Sequence, residues 1–174
     1  DKVNLTAFVV REKCDYPSNF RNEMTFDDFL KQQGVVGLSG IDTRKLTKIL
    51  RNSGVMKGVI VRGEPTDDEV RALLLSLDNS DVIMRTTTRE KYILNRRGDK
   101  HVAFIDMGAK DGILRELQKR KCKITVFPAN ASYEEIMAVK PDLVFLSNGP
   151  GDPLDAPGTV DVVKKLIGKI PVCG

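Results

Sequence analysis

Hydrophobic positions follow two different rhythms along the chain. From about residue 101 onward, short apolar runs alternate with amphipathic stretches. His101–Asp106 (HVAFID), Cys122–Phe127 (CKITVF), Asp142–Ser147 and Ile170–Cys173 read as strands. Between them, Asp111–Arg120 places Ile113, Leu114 and Leu117 on one helical face, and Val160–Ile167 does so with Val162, Val163, Leu166 and Ile167. Ser132 with Glu135 three positions later is a capping box, which opens a further helix. Strands alternating with helices of about ten residues predict right-handed βαβ units on a parallel sheet. This half is expected to be an incomplete doubly wound α/β domain.

Before residue 101 the pattern is less regular. Leu5–Glu12 reads as a strand, and Thr25–Gln33 as a short helix with Phe26, Phe29 and Leu30 inward. Asp42 is placed to cap a helix carrying Leu46, Ile49 and Leu50, which ends at Gly54. Met56–Arg62 reads as a strand, and Thr66 with Glu69 opens a helix through Leu77. The segment 84–100, MRTTTREKYILNRRGDK, is charged and aperiodic, as a linker would be. The expected division is therefore a smaller, partial α/β domain over 1–90, a linker over 91–100 and the regular domain over 101–174.

Composition acts by exclusion. With 41% hydrophobic and 30% charged residues the chain fits a globular protein. No stretch approaches the ~20 apolar residues of a membrane span. The opening DKVNLTAFVV lacks the basic flank and cleavage site of a signal peptide, and starts inside a strand as a fragment would. The net charge of +4 is dispersed, and its densest cluster, Lys119, Arg120, Lys121 and Lys123, has no interleaved aromatics. That disfavours a nucleic-acid partner. Cys14, Cys122 and Cys173 are widely spaced, and His101 is the single histidine. This argues for a reducing, cytoplasmic compartment and against a disulfide scaffold or a metal cluster.

In an open parallel sheet, ligands bind beyond the carboxyl ends of the strands. Two such ends carry informative loops, Asp106–Gly112 (DMGAKDG) and Ser147–Pro153 (SNGPGDP). In the second, Gly149 and Gly151 would expose main-chain N–H groups, while Pro150 and Pro153 would hold one shape. Such a loop suits a small ligand with a carboxylate or amide; it equally suits a tight turn with no ligand. DMGAKDG resembles a phosphate-cradling turn but has no P-loop pattern, and Lys110 reads as a solvated side chain. Cys173 reads as a small buried hydrophobe, and His101 lies at the amino end of its strand, so neither is expected to be catalytic.

VAFIDMGAKDGILRELQKRKCKITVFPANASYEEIMAVKPDLVFLSNGPGDP, followed by IPVCG, resembles the first half of a class I glutamine amidotransferase domain. More narrowly, PSNFR, GVVGLSGIDTRKLTKILR and GVMKGVI resemble the second part of the N-terminal domain of the carbamoyl-phosphate synthetase small subunit. The resemblance implies a flavodoxin-like sheet and a loop that closes over glutamine, with Gly149 and Gly151 touching the substrate through their backbone. It implies a cysteine thiolate attacking the glutamine amide with help from histidine and glutamate. The ammonia released would pass to a large partner subunit, which holds ATP and a divalent metal ion, for arginine or pyrimidine biosynthesis. No catalytic residue and no cofactor are expected within this chain, which would stop before the nucleophile elbow and be inactive alone. Gly112 stands where the family usually has asparagine. Two other readings compete: a non-catalytic flavodoxin-like binding or docking module, and a glutaminase serving another synthetase, which SGIDTRKLTKIL disfavours.

Overall fold

The computed structural model describes residues 3, 5–78 and 80–174. They form two compact units, Asp1–Leu77 and Asp78–Gly174.

In the first unit, β1 (Ala7–Val9) and β2 (Val36–Leu38) form a parallel pair, with α1 (Phe26–Gln32) between them in sequence. The polar signals at helix ends do what their chemistry predicts. Thr25 caps α1 by accepting from the Asp28 amide at 3.1 Å. Asp42 caps α2 (Thr43–Ser53) by accepting from the Lys45 amide at 2.9 Å, and Gly54 closes that helix at φ 75. Thr66 and Glu69 form the reciprocal capping box of α3 (Asp67–Ser76). Tertiary burial is sparse: Leu30 is the one buried hydrophobic of this unit among the described residues. The strand expected over Met56–Arg62 does not form, and Val59, Ile60 and Val61 stay exposed. A strand needs a neighbour for its N–H and C=O groups, and the apolar run meets none here.

The second unit carries α4 (Val82–Thr86), β3 (Tyr92–Asn95), β4 (His101–Asp106), α5 (Asp111–Lys119), β5 (Lys123–Pro128), α6 (Tyr133–Ala138), β6 (Leu143–Leu146), α7 (Pro157–Leu166) and β7 (Val172–Cys173). Its five strands lie in the order β3-β5-β4-β6-β7. The last four in sequence are mutually parallel, as the alternating pattern predicts. Their order, second-first-third-fourth, is that of a flavodoxin-like doubly wound sheet. Central β4 has apolar residues on both faces. Ala103 and Ile105 pack with Phe127, Ile136, Val144 and Leu166 on one side. Phe104 packs with Leu114, Ile124 and Val126 on the other. Helices cover both faces because the winding direction reverses at β4, and right-handed crossovers then fall on opposite sides.

The linker expected over 91–100 is corrected. The boundary between units falls at Leu77/Asp78, and Tyr92–Asn95 joins the sheet as an edge strand antiparallel to β5, with Tyr92 opposite Val126. Charged flanks disguise this strand in the sequence. An edge strand tolerates them, since one side of its ladder and much of its surface face solvent.

Candidate functional site

The loops after β4 and β6 leave the sheet side by side at its topological switch point, where open α/β sheets hold ligands. Side chains stitch them together. Ser147, nearly fully buried, accepts from the Met107 amide at 2.8 Å and donates to its neighbour's carbonyl, Asn148 O, at 2.7 Å. Asn148 Oδ1 accepts from the Lys110 amide at 3.0 Å. Asp106 Oδ1 takes the amides of Gly108 (2.9 Å) and Ala109 (2.8 Å), and its Oδ2 takes the Thr88 amide at 2.7 Å.

These bonds decide what DMGAKDG can do. The amides of Met107, Gly108, Ala109 and Lys110 all have protein acceptors, so these four are spent on holding the turn rather than offered to an anion. The Lys110 side chain is exposed. At Gly112, in the first turn of α5, an added Cβ would meet nothing within 4 Å.

The loop 147–153 is different. Gly149 packs against the other loop's main chain: a Cβ there would lie 2.5 Å from the Met107 carbonyl oxygen. Gly151 adopts φ 80, the left-handed region that favours glycine. Asp152 accepts from the Leu154 amide at 2.8 Å and Asp155 Oδ2 takes the Asp152 amide at 3.1 Å, closing a short 3-10 turn at Pro153–Asp155. Among the described residues, the exposed amides of Gly149 and Gly151 donate to no protein acceptor. They border a cavity of about 410 Å³ walled by Ile83, Leu146, Val160 and Val163. Buried side-chain polar atoms among the described residues are all paired, and these main-chain amides stand at the cavity beside Asn148 and Lys164.

The three thiols and the histidine do not line this cavity. Cys14 is in the first unit, and Cys122 precedes β5 at the amino edge of the sheet. Cys173 in β7, expected to be buried, is exposed. Its strand pairs with β6, Cys173 lying opposite Phe145. His101 begins β4, about 16 Å along the strand from Asp106. Its Nε2 lies 2.8 Å from Thr125 Oγ1, and its main-chain amide donates to Asp142 at 2.8 Å. Burial, then the nearby Lys123 charge, push its pKa below the usual histidine value. Among the described residues no group of three or more His, Cys, Asp or Glu is placed to hold a metal ion.

One contributor to the site escapes sequence periodicity. Residues 82–88 pack behind both loops, with Ile83 only 4% exposed and lining the cavity. The run Thr86, Thr87, Thr88 was the available signal, since clustered hydroxyls can satisfy loop backbone groups.

Residues 1–60 match the family described as "Carbamoyl-phosphate synthase small chain, CPSase domain", and residues 103–174 match "Glutamine amidotransferase class-I". The chain is similar to the carbamoyl phosphate synthase small chain of Clostridium perfringens, 50% identical over 170 residues, covering 98% of this chain and 48% of that one. The Bacillus caldolyticus small chain is 45% identical over 174 residues, covering 99% and 48%. That of Oceanobacillus iheyensis is 46% identical over 171 residues, covering 98% and 46%. The chain thus spans about half the length of the curated relatives it matches.

Proposed function

Because this chain belongs to the carbamoyl-phosphate synthase small-chain family, we propose that it is part of the glutamine-hydrolysing component of such a synthase. The observation that carries the reading is the pair of unclaimed amides at Gly149 and Gly151, held open at the switch point beside the cavity. Glutamine suits that place. Its methylenes match the apolar walls, and its carbonyl or carboxylate oxygens can accept from the two N–H groups.

In the proposed chemistry a cysteine thiolate attacks the side-chain carbonyl carbon of glutamine. The C–N bond breaks, ammonia leaves with a proton from a histidine, and water then hydrolyses the thioester to glutamate. The thiols of residues 1–174 are not gathered at the cavity with a base, so the nucleophile, histidine and glutamate are assigned outside these residues. The loop's part is binding and orientation. Ammonia passes to a large partner subunit, which carries the ATP and divalent-metal chemistry that makes carbamoyl phosphate for arginine or pyrimidine biosynthesis. A cytoplasmic setting accords with that chemistry. The paired family matches, one on each unit, disfavour a stand-alone binding module.

The test is carbamoyl phosphate synthesis by the complete gene product assembled with its large subunit, with glutamine or ammonia as nitrogen donor. Both should support synthesis. Synthesis from ammonia alone would overturn the reading. The isolated 174-residue chain should release no ammonia from glutamine, and Cys173→Ser should leave that blank unchanged.

A further inference from the structure

Residues Val82–Thr88 touch Gly151, Gly108, Met107 and Asp106 around the glycine loop. The Val82 Cγ1 atom lies 3.2 Å from where a Cβ on Gly151 would stand, so this side chain backs Gly151 directly. Thr86 Oγ1 lies 3.0 Å from the corresponding point on Gly108 and 3.4 Å from the Met107 carbonyl oxygen, the same oxygen that packs on Gly149. Thr87 bridges two strand ends: its hydroxyl donates to the Asp106 carbonyl after β4 and accepts from the Ala129 amide, 2.9 Å away, after β5. The Thr88 amide completes the tie on Asp106 Oδ2.

We propose that Val82–Thr88 is a positioning strap for the glycine loop, with Thr87 as its tie and Val82 as its wedge. Thr87 acts on Gly149 through Asp106 and Met107, and Val82 acts on Gly151 by contact. The strap sets where the two amides point, and hence glutamine affinity; this readout rests on the glutamine reading above.

The pair Thr87→Val and Thr87→Ser isolates the hydroxyl, because valine keeps the shape and serine keeps the bonds. In the complete protein with its large subunit, Thr87→Val leaves the Ala129 amide and Asp106 carbonyl unpaired and should raise glutamine KM about tenfold. Glutamine kcat and ammonia-dependent synthesis should change little, and Thr87→Ser should restore KM. Val82→Ala should raise KM several-fold. An unaltered KM in folded Thr87→Val overturns the proposal, as does a fall in kcat alone or an equal KM rise in Thr87→Ser. Should Thr87→Val not fold, an unaltered KM in Val82→Ala overturns it. Hydrogen exchange at the Gly149 and Gly151 amides reads the strap without glutamine. It should be faster in Val82→Ala than in the unaltered protein, and equal rates overturn the strap whatever the protein hydrolyses.

Discussion

The carbonyl oxygen of Met107 lies where a side chain on Gly149 would begin, 2.5 Å from an added Cβ. Glycine at 149 is thus required by the approach of two backbones before any ligand is considered. Gly149→Ala must push the loops apart, at a cost of ~1–3 kcal/mol typical of overpacking. Chemical unfolding of the variant should show that loss. A stability matching the unaltered protein would mean the loops separate freely.

Gly151 is glycine for another reason. Its φ of 80 costs an alanine about 1 kcal/mol, and the added methyl would sit 3.2 Å from both Asp155 Oδ2 and Val82 Cγ1. Gly151→Ala is expected to raise glutamine KM strongly in the assembled synthase while ammonia-dependent synthesis stays nearly intact. Steady-state kinetics with each nitrogen donor checks this. Unchanged glutamine kinetics would remove Gly151 from the binding site.

Asp106 accepts three amides, from Gly108, Ala109 and Thr88. Asparagine has one acceptor oxygen, so Asp106→Asn turns an N–H donor toward either Thr88 or the Gly108–Ala109 turn. Facing donors should destabilise the second unit by about 1–3 kcal/mol. Thermal unfolding reads the loss, and a melting temperature equal to that of the unaltered protein would contradict it.

His101 is the chain's single histidine, so its ring titration is read without ambiguity. Burial and the Lys123 charge lower its pKa; a bond to the Val139 backbone and the Asp142 charge oppose them. The fold therefore favours the neutral ring. Its contribution to stability is complete above the unfolded value of 6.5 and is lost as pH falls through the lowered one. NMR should place the midpoint below 6.5. A midpoint at or above that value would show the ring to be better solvated than its packing beside Thr125 implies.

Local chemistry was legible in the sequence. The boxes at Thr66–Glu69 and Ser132–Glu135, and the Asp42 and Gly54 ends of α2, form where their residue types place them. They act within one turn of chain, and no distant partner changes that. The parallel order of β4 to β7 was equally readable, because alternating runs leave right-handed crossovers few arrangements. It followed that the loops 106–112 and 147–153 share one edge of the sheet.

What depended on distant neighbours was decided by tertiary structure. Tyr92–Asn95 is a strand because β5 offers it a free edge, and Met56–Arg62 is not, for want of one. Gly149 looked like an opening for a ligand and proves also to be the seat of Met107. Val82–Thr88, with no periodicity to announce it, became the backing of the site. Hydrophobic rhythm and capping are properties of neighbouring residues; strand pairing and close approach depend on residues far apart in the chain, which meet only once it folds.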